Sequence, residues 1–346
     1  QFKDIKVFPL KEVYPAGDEV VLIYEVTGRV VAPGAIPASV KVTVFNVETM
    51  YNLFRAMNGI PVTHKYVTVA GEVKNPSTFY APIGMKITEL VSLAGGKTIE
   101  DPEYLMGGPM MGRLGSEFEC VTKTTNAVIL LPKNHYVVQR KKADPKIDLK
   151  RAMASCCQCR YCTDMCPRAL LGHPIDPADF MRVVSNKDSH TVTPYLNAFY
   201  CSGCGLCEMY SCQQGLSPRT LIQAFKSKLK AEGISPKNPD IKNPNPNRDL
   251  RRVPVSRLRA RLDLEKYNHS APMSPLEIMT DTVKINLNQH IGAPATLIVK
   301  VNDRVKEKDI IAKAKDNALS VNIHSSIDGI VVEANDKYVI IKKEGR

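Results

Sequence analysis

The chain has 346 residues, a formal net charge of +12, 44% hydrophobic and 24% charged residues, and ten cysteines. Its length predicts two or three domains, and its composition excludes a fully disordered or collagen-like chain. The basic residues are spread out and lack an aromatic stacking platform, so we expect no nucleic-acid partner. With no apolar run near the roughly 20 residues of a transmembrane helix and no leader pattern, neither a membrane span nor secretion is expected.

Residues 1–62 contain apolar runs separated by Pro and Gly. The runs VVLIYEV (20–26) and VKVTVFNV (40–47) predict strands, and VETMYNLFRAM (47–57) predicts an amphipathic helix. The chain opens at Gln1 directly in a strand-like pattern, which we interpret as a truncated or processed start.

Residues 63–140 alternate strand patterns with turn signals. The run YVTVAGEV predicts a strand, and a turn at Asn75-Pro76 leads to a second short strand and then to a helix that ends at Gly95-Gly96. After the Gly-rich MGGPMMG, the segment VTKTTNAVILLP predicts a further buried strand.

Residues 235–280 combine a Pro- and Asn-rich stretch, which predicts a linker, with the basic segment RRVPVSRLRAR. We interpret this segment as the solvated face of a short helix, in preference to a docking site for an acidic partner or a membrane surface.

Residues 281–346 are predicted to be all-β, with several short strands divided by turns.

Between these regions, residues 150–234 hold two regularly spaced sets of cysteines and end in a predicted helix. The first set is Cys-x2-Cys-x2-Cys-x3-Cys-Pro, and the second has the same gaps except for x4 before its last cysteine and Gln213 where the first has Pro. Three cysteines at two-residue gaps let one tight loop present three thiolates to a cubane, and in two-cluster ferredoxins the fourth cysteine ligates the other cluster.

The spacing therefore predicts two [4Fe–4S] clusters with exchanged fourth ligands. The predicted ligands of cluster 1 are Cys156, Cys159, Cys162 and Cys212, and those of cluster 2 are Cys201, Cys204, Cys207 and Cys166. Structural zinc sites use two CxxC pairs, and disulfide frameworks belong to short secreted domains, so both fit less well. The two cysteines outside the pattern, Cys120 and Cys157, are expected to be small buried hydrophobes.

The motifs CCQCRYCTDMCPRALLGH and CSGCGLCEMYSCQQGLSPR resemble the ferredoxin module of RnfC-like electron-transfer flavoproteins, closest to the PduS-type cobalamin reductases. YPAGDE and LIYEVTGR are similar to the later half of the flavin domain shared with complex I. VTVAGEVKNPSTFYAPIGMKITELVSLAGG resembles the SLBB β-grasp domain. VKVNDRVKEKDIIA and SVNIHSSIDGIV are similar to the RnfC barrel-sandwich hybrid, which resembles lipoyl carriers but here lacks their modified Lys.

The resemblance implies a multidomain α+β protein with five parts. These are the later half of an NADH/FMN-type domain (1–62), an SLBB β-grasp domain with following strands (63–140), a ferredoxin-like 2×[4Fe–4S] module (150–234), a linker with a basic helix (235–280) and an all-β barrel-sandwich hybrid (281–346). It implies FMN near Asn46 and Thr49. Because no phosphate-binding Gly loop precedes Gln1, we expect the chain to lack a complete NADH/FMN site that the full-length protein would carry.

The resemblance further implies a cytoplasmic oxidoreductase that passes electrons from NADH through FMN and both clusters to a corrinoid. The implied location is a diol-degrading bacterial microcompartment, with its enzymes, a shell protein or a corrinoid adenosyltransferase as partners, and the SLBB segment is a candidate corrinoid or partner surface. The barrel-sandwich segment comes last, as in PduS-type proteins and unlike RnfC. The alternatives are an RnfC-type subunit of a ferredoxin:NAD oxidoreductase complex and a zinc-stabilised binding module without redox activity.

Overall fold

The computed structural model describes residues 5–235 and 242–344, so Gln1 and residues 236–241 of the predicted linker lie outside the described residues. The chain divides into two compact units that interleave along the sequence. The first comprises Gln1–Val44 and Lys142–Glu265, and the second comprises Phe45–Lys141 and Lys266–Arg346.

The first unit is mainly helical. Its α-helices are Glu19–Thr27, Pro145–Ser155, Tyr161–Asp164, Pro167–Leu170, Pro177–Ser185, Thr193–Leu196, Pro218–Ala231 and Val255–Arg261. The shorter turns are the 3₁₀ segments Pro37–Val40, Asn197–Tyr200 and Arg248–Arg251 and the π-helical turn Cys207–Ser211. A two-residue strand, Val13–Tyr14, pairs antiparallel with Val253–Pro254.

The two strands predicted near the start of the chain are wrong. The first apolar run forms the helix Glu19–Thr27, because the Asp18 carboxylate accepts the N–H groups of Val20 and Val21 at 3.1 and 3.2 Å and Gly28 ends the helix at φ 69°. In the second run, residues 42–46 have no regular secondary structure. The first run is apolar over five consecutive residues (20–24), so it has no period by which a strand could be told from a helix.

The cysteine-bearing part of the first unit is built on three helices: Pro145–Ser155, Pro177–Ser185 and Pro218–Ala231. Phe180 is completely buried in their common core, and its ring meets that of Phe225 edge-on at 5.4 Å. Three cysteines of the two sets, Cys156, Cys201 and Cys212, pack against this core. The helices therefore hold both cysteine loops on one rigid support.

The basic segment is only partly the solvated face that its composition suggested. Arg251 forms an ion pair with Asp164 at 2.9 Å, and Arg252 forms one with Glu25 at 2.9 Å. The helix Val255–Arg261 does form within the segment, and its Arg257 is exposed. The first arginines of the segment therefore join parts of the first unit. Of the later ones, Arg257 and Arg261 are exposed, and Arg259 pairs with Glu265 at 3.1 Å.

The second unit begins with a β-grasp arrangement. Its five-stranded sheet has the order Ser77–Pro82, His64–Gly71, Ala127–Pro132, Pro102–Met106, Arg113–Gly115. The contact between His64–Gly71 and Ala127–Pro132 is parallel, and the other neighbours are antiparallel. The helices are Val47–Met57, Ile87–Leu93 and Tyr136–Lys141, with a 3₁₀ turn at Glu265–Tyr267. The helix predicted over 47–57 and the strand–turn–strand–helix order predicted over 66–96 are confirmed.

The second unit ends in a barrel-like pair of small sheets. One has the order Arg304–Val305, Gly329–Ala334, Tyr338–Lys342, Thr282–Asn286, and the other has the order Ile323–His324, Ile310–Lys313, Thr296–Leu297. Apolar side chains from both sheets, including Ile285, Ile311 and Val339, are fully buried between them. The all-β prediction for this segment is confirmed.

Candidate metal centres

The eight regularly spaced cysteines line two cavities of the first unit. The first cavity is lined by Cys156, Cys159, Cys162 and Cys212, and also by Cys157, which lies outside the regular spacing. The second is lined by Cys166, Cys201, Cys204 and Cys207. The last cysteine of each set thus lines the cavity of the other set. We call these the first and second cysteine cavities.

Both cysteine loops have residues with positive φ at equivalent positions. In the second loop, Gly203 and Gly205 have φ of 76° and 84°; the equivalent positions of the first loop, Gln158 and Arg160, have φ of 52° and 63°. Left-handed backbone is ordinary for Gly and costs other residues about 1 kcal/mol each. Equal spacing therefore produces equal loop shapes even though the first loop has no glycine at these positions.

Backbone N–H groups surround the sulfur atoms. Gly203 N donates to Cys201 Sγ at 3.4 Å, and Leu216 N donates to Cys212 Sγ at 3.3 Å. Backbone hydrogen bonds from Ala169 and Arg168 reach Cys166 in the same way. These donors stabilise negative charge on sulfur, which is what thiolate ligands of an iron–sulfur cluster require.

Burial makes these thiols hard to ionise by themselves. It raises the pKa of Cys162 to about 12 and that of Cys204 to about 11, with neighbouring cysteines adding to both. Burial and neighbouring cysteines also raise the pKa values of Cys166 and Cys207. Four crowded thiols of this kind lose their protons when a cationic metal centre binds them, because the centre supplies the missing positive charge.

The arrangement suits a cluster better than a single ion. Tetrahedral zinc at 2.3 Å from each sulfur needs thiolates about 3.8 Å apart. Within residues 5–235 and 242–344, no three His, Cys, Asp or Glu side chains converge closely enough to hold one metal ion. Four cysteines of the two sets in each lining supply the number and type of ligand that one [4Fe–4S] cluster uses.

Charged side chains are concentrated around the second cavity. Arg219 and Arg168 line it, and each has a buried Nε atom without a hydrogen-bond partner. Arg219 pairs with the buried Glu208 at 3.0 Å, and Arg168 pairs with Asp18 at 2.9 Å. Lys226 donates to the Cys201 carbonyl at 2.9 Å. In the first cavity the charged lining residue is Arg160, whose pair with Asp176 is largely exposed.

The sequence reasoning missed these charged residues. One of them could have been suspected from the sequence, because the acidic Glu208 directly follows Cys207. In the structure Glu208 is 1% exposed. The expectation that Cys157 is buried is wrong, because it is exposed within the first loop and lines the first cavity. Cys120 is half-buried.

The predicted flavin-contacting residues lie in the second unit, at the start of the helix Val47–Met57. Asn46 and Thr49 are both exposed, and Asn46 Oδ1 accepts the Glu48 N–H at 2.9 Å as the helix N-cap. The apolar side chains of this helix are also exposed, Val47 by 83% and Phe54 by 65%. The assignment of Asn46 and Thr49 to FMN stays a prediction.

Four protein-family models match the chain. They are the Nuo51 FMN-binding domain over residues 1–55, the SLBB domain over 66–114, the 4Fe-4S dicluster domain over 155–217 and the RnfC barrel sandwich hybrid domain over 263–345. No helix within residues 5–235 and 242–344 has both the length and the apolar character that crossing a bilayer requires.

Two curated relatives match nearly the whole chain, and a third matches about half of it. Cobalamin reductase PduS of Salmonella typhimurium is 41% identical over 97% of this chain and 75% of its own length, and that of Citrobacter freundii is 40% identical with the same coverage. A subunit of the Na⁺-translocating ferredoxin:NAD⁺ oxidoreductase complex of Acetobacterium woodii is 32% identical over 51% of this chain and 37% of its own length.

The matched domains define an iron–sulfur flavoprotein with an electron-transfer role, and the chain is an oxidoreductase. More particularly, it belongs to the PduS family. The resemblance to RnfC-like flavoproteins, the multidomain α+β class and the predicted order of domain types are therefore confirmed.

Proposed function

We propose that this protein carries electrons from NADH through FMN and two [4Fe–4S] clusters to the cobalt of a corrinoid, reducing cob(III)alamin. One observation carries the proposal: the eight cysteines divide between two cavities, and the last cysteine of each set lines the cavity of the other. Two clusters in one small module relay electrons singly, and the chain offers each of them four cysteine ligands.

In this proposal the first cavity holds cluster 1 and the second holds cluster 2. The ligands of cluster 1 are Cys156, Cys159, Cys162 and Cys212, and those of cluster 2 are Cys166, Cys201, Cys204 and Cys207. The backbone N–H groups of both loops stabilise the negative charge on the ligand sulfurs. Arg168, Arg219 and Lys226 favour additional negative charge at the second cavity, where all three are half-buried.

When bound, FMN would accept a hydride from NADH and release its two electrons singly, so that one NADH reduces two molecules of cob(III)alamin by one electron each. Asn46 and Thr49 are the proposed contacts of this chain to FMN.

We propose domain boundaries at residues 62, 140, 150, 234 and 280, as the sequence predicts.

Two findings support a corrinoid as acceptor. The relatives that match 97% of the chain are named cobalamin reductases. The RnfC barrel-sandwich match at 263–345 follows the dicluster match at 155–217, which is the order expected of PduS-type proteins. On the same basis we propose a diol-degrading bacterial microcompartment in the cytoplasm as the location, with its enzymes, a shell protein or a corrinoid adenosyltransferase as partners.

The test has two stages. The chain is first purified without oxygen, and we expect a brown protein with about eight irons whose broad absorbance near 400 nm is bleached by dithionite. Cys159→Ala and Cys204→Ala should each lose about one cluster. A colourless, iron-free protein or one holding a single zinc ion contradicts the cluster assignment and favours a zinc-stabilised module.

The second stage uses the full-length protein and measures NADH-dependent reduction of cob(III)alamin beside that of an artificial dye. We expect both acceptors to be reduced. Reduction of the dye alone contradicts the corrinoid assignment while leaving the electron-transfer role intact.

An RnfC-type subunit is the second candidate, favoured by the 32% identity to the oxidoreductase-complex subunit from Acetobacterium woodii. Purification from a native host separates the two functions. Integral membrane subunits that copurify with the protein support the RnfC-type role, whereas microcompartment shell proteins support the corrinoid role.

A further inference from the structure

A cleft of about 620 Å³ opens in the second unit, at loops that none of the predicted functions uses. It is formed by Pro61 and Val62, by the turn at Lys123 and Thr124, and by two loops of the barrel, 289–292 and 319–324. Small-molecule sites usually enclose about 300–1,000 Å³, so the cleft has the size of a ligand pocket.

The two barrel loops are held close together. Ala293 N donates to the Leu319 carbonyl at 2.8 Å, and a Cβ added to Gly292 would lie 2.0 Å from the same oxygen. Gln289 connects the turn at Lys123 and Thr124 to the barrel loops, because its Oε1 accepts the Lys123 N–H at 2.8 Å. The walls of the cleft are therefore fixed by backbone contacts.

Two polar atoms at the cleft are buried without partners. The Nδ1 atom of His290 accepts the Gly292 N–H at 3.0 Å, so the neutral ring carries its proton on Nε2. That Nε2 atom is buried and has no hydrogen-bond partner, and the same holds for Ser320 Oγ. A buried N–H donor without an acceptor costs about 1–3 kcal/mol, which a bound acceptor would recover.

The cleft has one lysine and no acidic residue in its lining. Lys123 and His324 line it, whereas Asp and Glu do not. Within the described ranges the Lys123 ammonium has no ion pair. Burial lowers the pKa of Lys123, and burial together with the Lys123 charge lowers that of His324. A negatively charged group beside Lys123 would favour the charged form of its buried ammonium.

The remainder of the lining is apolar and partly open to water. Ile291 is fully exposed, and Leu319 and Val321 are 74% and 45% exposed at the rim. We propose that this cleft binds a small organic anion. Its phosphate or carboxylate group would lie with Lys123, His290 and Ser320, and its apolar body would cover the rim.

Calorimetric titration of the full chain with matched naphthalene probes tests the proposal. The probes are 1-naphthyl phosphate, 1-naphthoate and the neutral 1-naphthol. We expect at least one anion to bind with a Kd below about 1 mM and about tenfold more tightly than naphthol. Lys123→Gln should weaken anion binding about tenfold and leave naphthol binding unchanged. Lys313→Gln, which changes an exposed lysine of the barrel outside the cleft lining, should change neither.

Anion binding no tighter than naphthol binding, or binding that survives Lys123→Gln in a protein with an unchanged urea midpoint, overturns the proposal. Ser320→Ala removes only a hydroxyl and decides the question if Lys123→Gln does not fold. We expect Ser320→Ala to weaken binding of the anion but not of naphthol. Equal anion affinities in Ser320→Ala and the parent protein would also overturn the proposal.

Discussion

The Tyr14 hydroxyl donates a hydrogen bond of 2.8 Å to the carbonyl oxygen of Cys204. Tyr14 belongs to the stretch matched by the FMN-binding domain model, and Cys204 lies in the second cysteine loop. Burial raises the pKa of Tyr14, so the phenol remains a donor at any physiological pH. Asp18 adds a second connection through its ion pair with Arg168. Within the first unit, the flavin-type segment is thus bonded to the second cysteine cavity.

Tyr14→Phe should therefore affect one centre more than the other. Loss of the buried hydrogen bond should lower the free energy of unfolding by about 1 kcal/mol. It should also shift the reduction potential of cluster 2 without shifting that of cluster 1, as measured by EPR-monitored redox titration. Tyr24→Phe is the control, because Tyr24 contacts Arg248 through its ring, which Phe retains. Equal shifts of both clusters would contradict a local role for Tyr14.

The pair of Arg219 and Glu208 offers a sharper electrostatic test. Glu208 is 1% exposed and its side chain accepts hydrogen bonds from Arg219 and from the Thr220 N–H. In Arg219→Gln the carboxylate would lie next to Cys207 without its counterion, and its negative charge would oppose reduction. We expect the potential of cluster 2 to fall by at least about 60 mV, a tenfold change for a one-electron couple.

Two further variants check that interpretation of Arg219. The double variant Arg219→Gln/Glu208→Gln replaces the ion pair by a neutral pair and should recover most of the lost potential. Arg160→Gln breaks an exposed pair at the first cavity and should move either potential by much less, because solvent screens it. A double variant as low in potential as Arg219→Gln would argue against the charge mechanism.

The exchange of the fourth cysteines has its own prediction. Cys212→Ala should disturb the cluster of the first triplet, and Cys166→Ala that of the second, because each lines the other set's cavity. EPR spectra of the two variants, compared with those of Cys159→Ala and Cys204→Ala, assign each signal to a cavity. If Cys212→Ala instead matches Cys204→Ala, the exchange is wrong.

His173 should make the stability of the protein pH-dependent. It is 6% exposed, and burial followed by the Arg168 charge lowers its pKa to about 4. Between that value and the unfolded value near 6.5, the unfolded chain binds the proton more readily, so stability falls as pH falls. We expect a loss of roughly 2 kcal/mol between pH 7.5 and 5.

Urea unfolding without oxygen at both pH values measures this effect. His173→Gln cannot titrate and should show a smaller loss of stability over the same interval. The His173 interpretation fails if the parent protein and the variant lose equal amounts.

Gly71 should be indispensable to the five-stranded sheet. Its φ is +87°, and an added Cβ would lie 2.1 Å from the Leu130 carbonyl oxygen. Gly71→Ala should therefore cost at least about 2 kcal/mol, from backbone strain and displacement of the parallel partner strand. Gly108→Ala, where a Cβ would meet nothing within 4 Å, is the control and should change the urea midpoint little. Similar midpoints for both variants would contradict the argument.

Local sequence signals were sufficient to predict the two cysteine loops and the order of the domains. Triplets at two-residue gaps impose a loop shape through local geometry, and the equal φ pattern at Gln158, Arg160, Gly203 and Gly205 reflects this. Strand–turn–helix signals around Gly71, Gly95 and Gly96 are local as well, which is why the predicted elements of that region are found. The apolar run at 20–26 was misjudged because its helix depends on the caps at Asp18 and Gly28 and on burial of one face.

The surroundings of the second cavity and of the barrel cleft, by contrast, emerge only when the chain is folded. Arg219 meets Glu208 across 11 residues of sequence, and Tyr14 meets Cys204 across 190. Likewise, Lys123 lines the same cleft as His290 and His324, although it lies far from both of them in the sequence. No local pattern encodes such neighbours, because their placement follows from how whole cores pack, whereas cysteine spacing acts over a few residues of backbone.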